Sequence, residues 1–204
     1  VACIGEGASS SGEFWEAMNL AGARGLPITY ILQNNQIALD TPPAHQSGVE
    51  LWADKAVAMG FPGWTIDGSD PAAIHASVAV AREFGLEGGG PTLIHVETMR
   101  GCGHAHHHDD LYLGAPSGAT QGYVDEALLD YWEAKDPVPT HRALLLELGV
   151  DEDDLHAMEV EEASAVEQAL EALDAVPWPE PATVTEGVTS LHGAETHASH
   201  LHRL

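Results

Sequence analysis

The oxygen-bearing side chains that could do chemistry in this sequence stand at the ends of two apolar runs. Glu6 lies between Gly5 and Gly7, just after Val1-Ala2-Cys3-Ile4. Asn34 and Asn35 follow the run from Ile28 to Leu32. Flanking glycines let the backbone turn tightly around Glu6 and come close to a ligand. A carboxylate and an amide oxygen on one edge supply hard oxygen ligands, which suits Mg²⁺ carrying phosphate oxygens. A glycine turn that feeds a helix N-terminus is also a natural phosphate site, because free N–H groups and the positive dipole end meet there.

These residues need elements to position them. Val1 to Ile4 reads as the end of a buried strand, with Cys3 as a small core residue. Ser10 followed by Glu13 is a capping-box pattern, after which Phe14, Ala17, Met18 and Ala21 recur at helical spacing. That helix is expected to stop near Gly25-Leu26-Pro27, before a buried strand over Ile28 to Leu32. In open parallel sheets ligands bind at the carboxyl ends of strands, where Glu6 and the Asn pair would both sit.

From Gly5 to Asn35 the pattern resembles the thiamine diphosphate motif. Glu6 stands where the family has Asp, and 26 residues from Ala8 through Gln33 separate the turn from Asn34-Asn35. Further segments narrow the resemblance: Glu16 to Ala21, Asn34 to Ala38, Ala53 to Ala56, Gly60 to Gly63, Asp67-Gly68 and Gly90 to Ile94. Together they are similar to the alpha subunit of the decarboxylating component of 2-oxo acid dehydrogenase complexes. The resemblance runs to about Gly149.

The resemblance implies an α/β protein, a doubly wound and mainly parallel sheet of the thiamine diphosphate-binding fold, with a helical C-terminal part. It implies thiamine diphosphate and Mg²⁺ as cofactors. The metal would be held by Glu6, Asn35 and the main-chain carbonyl of Ile37, and the diphosphate by these with Gly7, Ala8 and Arg100. His104 maps to the active-site histidine, a catalytic residue that also binds the cofactor by hydrogen-bonding its diphosphate or the bound intermediate. The implied activity is oxidative decarboxylation of a 2-oxo acid, pyruvate or branched-chain, with acyl transfer to a lipoyl carrier. The implied partners are a beta subunit that completes the site in an α₂β₂ assembly and a lipoyl-bearing acyltransferase. Met99 replaces the family's aromatic before Arg100, and Ala105 replaces a serine that some relatives phosphorylate.

Other readings of the same residues stay open. An acetoin-type or other thiamine diphosphate dehydrogenase subunit would share the half-site, and an inactive scaffold subunit could keep the fold. His104 and His106 to His108, with Asp109 and Asp110, could bind Zn²⁺ or Ni²⁺, although adjacent side chains on a loop diverge. His192, His197, His200 and His202 near the C-terminus make a weaker metal candidate.

The rest of the chain alternates. A helix is expected over Glu50 to Met59, and a strand and turn over Gly63 to Gly68. A helix capped by Asp70 with Pro71 at its first position comes next, then a strand over Pro91 to Thr98. Such βαβα alternation implies a parallel sheet with helices on both faces. A helix over Glu126 to Lys135 should be broken by Asp136-Pro137-Val138-Pro139, with another over Thr140 to Leu148. Asp151 to Asp154 cap a helix whose Leu155, Met158, Ala163, Val166, Leu170 and Leu173 form one apolar stripe, read as a docking face. The expected division is a cofactor-binding core over 1–115 that lacks an upstream part, C-terminal helices over 116–176 and a flexible tail over 177–204.

Charge excludes some partners. With 32 acidic residues against 7 Lys plus Arg, the net charge is −25. Such a surface repels nucleic acid and anionic membrane, so neither is an expected partner. Abundant acid with scarce lysine suits a salt-adapted cytoplasm, where salt screens the self-repulsion.

Overall fold

The computed structural model describes residues 1–105, 107–118 and 121–185. The histidines at 106 and beyond residue 185 therefore lie outside the described residues. The chain divides into two compact units, Val1–Gly149 and the part from Val150 onward.

In the first unit, β1 (Ala2–Gly5), β2 (Thr29–Asn34), β3 (Gly63–Asp67) and β4 (Thr92–Glu97) form a four-stranded sheet in the order β1-β2-β4-β3. All pairings are parallel. The step from β1 to β2 runs across the sheet one way, and the step from β3 to β4 runs back. Right-handed crossovers then force the two connecting helices onto opposite faces. Those helices are α1 (Gly12–Arg24) and α3 (Pro71–Leu86).

The core follows from this winding. Phe14, Met18 and Ala21, spaced to line one face of α1, pack with Tyr30, Leu32 and Leu93 on one side of the sheet. Val78 and Ala81 of α3 pack with Ile31, Ile94 and Val96 on the other. Alternate residues of β2 and β4 thus enter different clusters, as the two-residue period of a strand requires. Because both faces are covered, these strands are near-continuously apolar. Gly25 ends α1 in the left-handed region at φ 59°, with Leu26 N–H donating back to the Ala21 carbonyl at 3.0 Å. Asp70 caps α3 by accepting from Ala72 and Ala73 N–H at 2.9 and 3.2 Å.

Several local expectations are corrected. In this chain β1 lies at the sheet edge, and Ala2 and Cys3 are exposed there rather than buried as expected. The Ser10–Glu13 box does not form. Ala8–Ser10 make a 3₁₀ turn, Ser11 takes the cap position, and no side chain caps the helix. The expected helix over Glu50 to Met59 is reduced to a 3₁₀ turn, Trp52–Asp54, and a short α2 (Lys55–Ala58). A short α4 (Asp109–Tyr112) follows β4, and α5 (Glu126–Glu133) comes after it. The break at Asp136-Pro137-Val138-Pro139 does separate two helices, but the second starts earlier than Thr140: α6 (Pro137–Glu147) begins at Pro137, with Asp136 accepting from Val138 N–H at 2.9 Å. Proline is tolerated in a first turn because those N–H groups have no partner inside the helix.

In the second unit α7 (Glu152–Asp174) starts at the Asp151 cap. Met158, Val166, Leu170 and Leu173 of its stripe are exposed in this chain. No helix among the described residues is long and apolar enough to cross a membrane.

Candidate functional site

The carboxyl ends of β1, β2 and β4 converge on the candidate site. Glu6 extends the β1–β2 ladder by one step, its N–H donating to the Gln33 carbonyl at 3.1 Å. The turn is tied from beneath. Ser9 Oγ donates to the Glu6 carbonyl at 2.6 Å, and Trp52 Nε1 donates to Ser9 Oγ at 3.1 Å. Both Ser9 and Trp52 are buried. Gly7 lies against the loop after β2, so closely that an added Cβ would stand 2.4 Å from that of Ala38.

That loop is held by its own asparagines. Asn34 Oδ1 accepts from Gln36 N–H at 3.1 Å and Asn35 Oδ1 from Ile37 N–H at 3.3 Å. These bonds support a left-handed residue at Gln36, φ 72°, and another follows at Leu39, φ 57°. Non-glycine residues in that region cost of order 1–3 kcal/mol each and cluster at ligand clamps.

Glu6 is only 2% exposed. Its carboxylate has one donor among the described residues, Asn35 N–H, 3.4 Å from Oε2. No cationic side chain among them pairs with it. A buried carboxylate so poorly compensated is costly unless a cation joins it. The Asn35 amide oxygen lies in the same loop, and so does the Ile37 carbonyl, to which no described group donates. The donor set is hard oxygen throughout, which fits Mg²⁺.

Arg100 arrives from β4, which keeps pairing with β2 past its formal end. Thr98 N–H donates to the Asn34 carbonyl at 2.9 Å and Arg100 N–H to that of Asn35 at 3.1 Å. The guanidinium lies over the ring of Tyr112, 4.5 Å from its centroid. Tyr112, wholly buried, donates its hydroxyl to the Arg100 carbonyl at 2.7 Å. Burial raises the Tyr112 pKa, against the lowering effect of Arg100, so the phenol stays a donor. Arg100 Nε donates to the Cys102 carbonyl at 2.8 Å, and Nη2 to the Leu39 carbonyl at 3.0 Å and to the Tyr123 hydroxyl at 3.2 Å. Nη1 is buried and has no partner among the described residues. A phosphate oxygen is the acceptor such a nitrogen suits.

Glu6, Gly7, Asn35, Ile37 and Arg100 are therefore brought together. Ala8 is exposed in the 3₁₀ turn beside them. His104 is exposed and makes no hydrogen bond or ring contact with Glu6, Asn35 or Arg100. His107 and His108 stack edge to face at 4.2 Å. Among the described residues no group of three or more His, Cys, Asp or Glu is placed to hold a metal ion.

Three supports were not read from the sequence: the Ser9–Trp52 buckle, the pair Tyr112 and Tyr123, and His95. Only His95 left a signal, a polar residue inside the apolar run Leu93 to Val96.

A family model, described as the dehydrogenase E1 component, matches residues 1–182. The chain belongs to the dehydrogenase E1 component family. Among curated relatives, the pyruvate dehydrogenase E1 component subunit alpha of Bacillus subtilis is 38% identical over 174 residues, covering 85% of this chain and 44% of the relative. The Bacillus cereus subunit of the same name is 37% identical over 174 residues, with the same coverage. That of Staphylococcus aureus is 35% identical over 161 residues, covering 79% of this chain and 41% of its own length. The E1 chain thus spans less than half the length of the curated relatives it matches. A solved transketolase from Leishmania mexicana is 24% identical with a TM-score of 0.43, covering 85% of this chain and 24% of that one. That likeness is too slight to argue from.

Proposed function

We propose that this E1 chain forms the diphosphate- and Mg²⁺-binding half-site of a thiamine diphosphate-dependent 2-oxo acid dehydrogenase. The buried Glu6 carboxylate carries the reading, because no cationic side chain among the described residues pairs with it and it faces Asn35 at the carboxyl edge of a parallel sheet. Glu6, Asn35 Oδ1 and the Ile37 carbonyl would hold the metal. Arg100, through Nη1, and the backbone at Gly7 and Ala8 would hold the diphosphate. His104 would serve the substrate side of the completed site. When bound, the cofactor supplies the nucleophilic carbon and the electron sink for decarboxylation.

The work of this chain is then to bind and orient. The strained loop after β2 and the buckled turn after β1 hold their oxygens in place before the ligand arrives, which lowers the ordering cost of binding. Names of the relatives point to pyruvate as substrate, and a branched-chain 2-oxo acid is the neighbouring choice. A beta subunit would complete the site in an α₂β₂ assembly, and a lipoyl-bearing acyltransferase would take the acyl group.

Calorimetric titration of thiamine diphosphate with Mg²⁺ into the full-length chain and its beta-type partner tests this. We expect Mg²⁺-dependent binding that weakens at least tenfold in Glu6→Ala and in Asn35→Ala, about 1.4 kcal/mol or more. A Glu6→Ala complex that binds as tightly as the parent would contradict the metal assignment. Failure of the intact pair to bind at all would leave a scaffold subunit.

A further inference from the structure

The Tyr123 hydroxyl closes a triangle that no feature of the half-site requires. It donates to the Leu39 carbonyl at 2.7 Å and accepts from Arg100 Nη2 at 3.2 Å, while the same Nη2 reaches Leu39 O at 3.0 Å. Leu39 ends the strained turn that presents Ile37, and a bridge between Ala38 and Thr41 closes it with N–H to O contacts of 3.0 and 2.9 Å. One hydroxyl therefore joins the arginine that would take the phosphate to the turn that would offer the metal its carbonyl.

The bland alternative is that Tyr123 simply packs. Its ring does meet Tyr112 edge to face, with centroids 5.3 Å apart. Yet Tyr123 is 41% exposed, so the ring adds little core, and both of its polar contacts go to the candidate site. Tyr123 and Ile37 also line the same cavity of about 600 Å³, together with Gln36, Met99 and Tyr112. With Nε and Nη2 engaged, Nη1 is the nitrogen of Arg100 left without a partner among the described residues.

Resting on the half-site reading above, we infer that Tyr123 is a positioning residue. Its hydroxyl fixes Arg100 and the Gln36–Leu39 turn relative to one another, so that anion binding and metal binding act as one unit. It touches neither ligand itself.

Tyr123→Phe tests this, since it keeps the ring against Tyr112 and removes only the hydroxyl. In the full-length chain with its partner subunit, we expect thiamine diphosphate affinity to fall about tenfold, the scale of one hydrogen bond to a charged group. The Mg²⁺ concentration for half-saturation should rise with it, at an unchanged thermal midpoint. In an Arg100→Met background the same substitution should add less than about twofold, because residues in one network are not additive. Without any ligand, amide exchange over residues 36–41 should speed up in Tyr123→Phe, as local opening becomes easier. Parental affinity in Tyr123→Phe, beside a clear loss in Arg100→Met, overturns the inference and leaves the half-site standing. Equal losses in both backgrounds also overturn it. A parent that binds no thiamine diphosphate overturns both readings together.

Discussion

His95 shows what one buried side chain does to the pH range of the whole fold. It is wholly buried in β4, with Nδ1 3.0 Å from Thr65 Oγ1, its ring 5.6 Å from that of Trp52 and Nε2 without a partner among the described residues. Burial disfavours the imidazolium and lowers its pKa from 6.5 to about 4. The unfolded chain therefore takes up the proton more readily. His95 supports the fold fully above pH 6.5, and that support is lost as pH falls from 6.5 to about 4. At about 1.4 kcal/mol per pH unit the window amounts to about 3 kcal/mol. Urea midpoints measured from pH 7 to pH 4 should fall more steeply in the parent than in His95→Gln, and parallel curves would show that His95 does not titrate on unfolding. Residue by residue, the candidate site could be proposed from sequence where its residues are marked locally in the chain: Glu6 in its glycine turn, Asn35 after its strand, Arg100 after β4. The Trp52 that steadies Ser9 lies 43 residues from it, and Tyr123 lies 84 from Leu39, so only the fold could pair them.

Between elements, the contact that matters is the turn after β1 pressed on the loop after β2. Here Gly7 is needed for space: an added methyl would lie 2.4 Å from Ala38 Cβ, where real side chains do not approach. Overpacking of this kind costs typically 1–3 kcal/mol. Gly7→Ala should therefore lower the thermal midpoint and weaken Mg²⁺-dependent cofactor binding, because the turn that carries Glu6 must retreat from Asn35. Ala38→Gly in the same chain should restore both, since it removes the atom that is struck. Failure of that rescue would locate the defect elsewhere. Elements with strong termini were legible: Asp70-Pro71 marks the start of α3 and Asp151 the start of α7. β1 was expected to be buried, and in this chain its apolar run lies exposed at the sheet edge. α6 misled because Pro137 and Pro139 occupy a first turn, where a missing N–H costs nothing.

Across the whole molecule, charge outweighs any single contact. A net −25 on 204 residues means that acids repel across much of the surface, and compaction makes the repulsion worse. Glu161, Glu162, Glu167 and Glu171 of α7 are exposed carboxylates on one helix, and no Lys or Arg stands in its last turn. Salt relieves this, since the screening length falls from about 10 Å at 0.1 M to about 3 Å at 1 M. With 7 Lys plus Arg against 32 acids, most carboxylates have no basic side chain to pair with, so screening removes more repulsion than attraction. The ion pair of Lys135 with Asp67 is one such attraction, and surface pairs are worth about 1 kcal/mol or less. Stability should therefore rise, not fall, as NaCl is raised from 0.1 to 2 M. Salt also strengthens apolar burial, so the rise alone does not identify the cause. Replacing the four α7 glutamates by glutamine removes charge while keeping shape. If self-repulsion is the cause, that variant should gain stability at low salt and show a shallower salt dependence, converging on the parent at high salt. Two thermal-midpoint curves that stay parallel at every salt concentration would assign the effect to apolar burial and remove the charge argument for a salt-adapted protein.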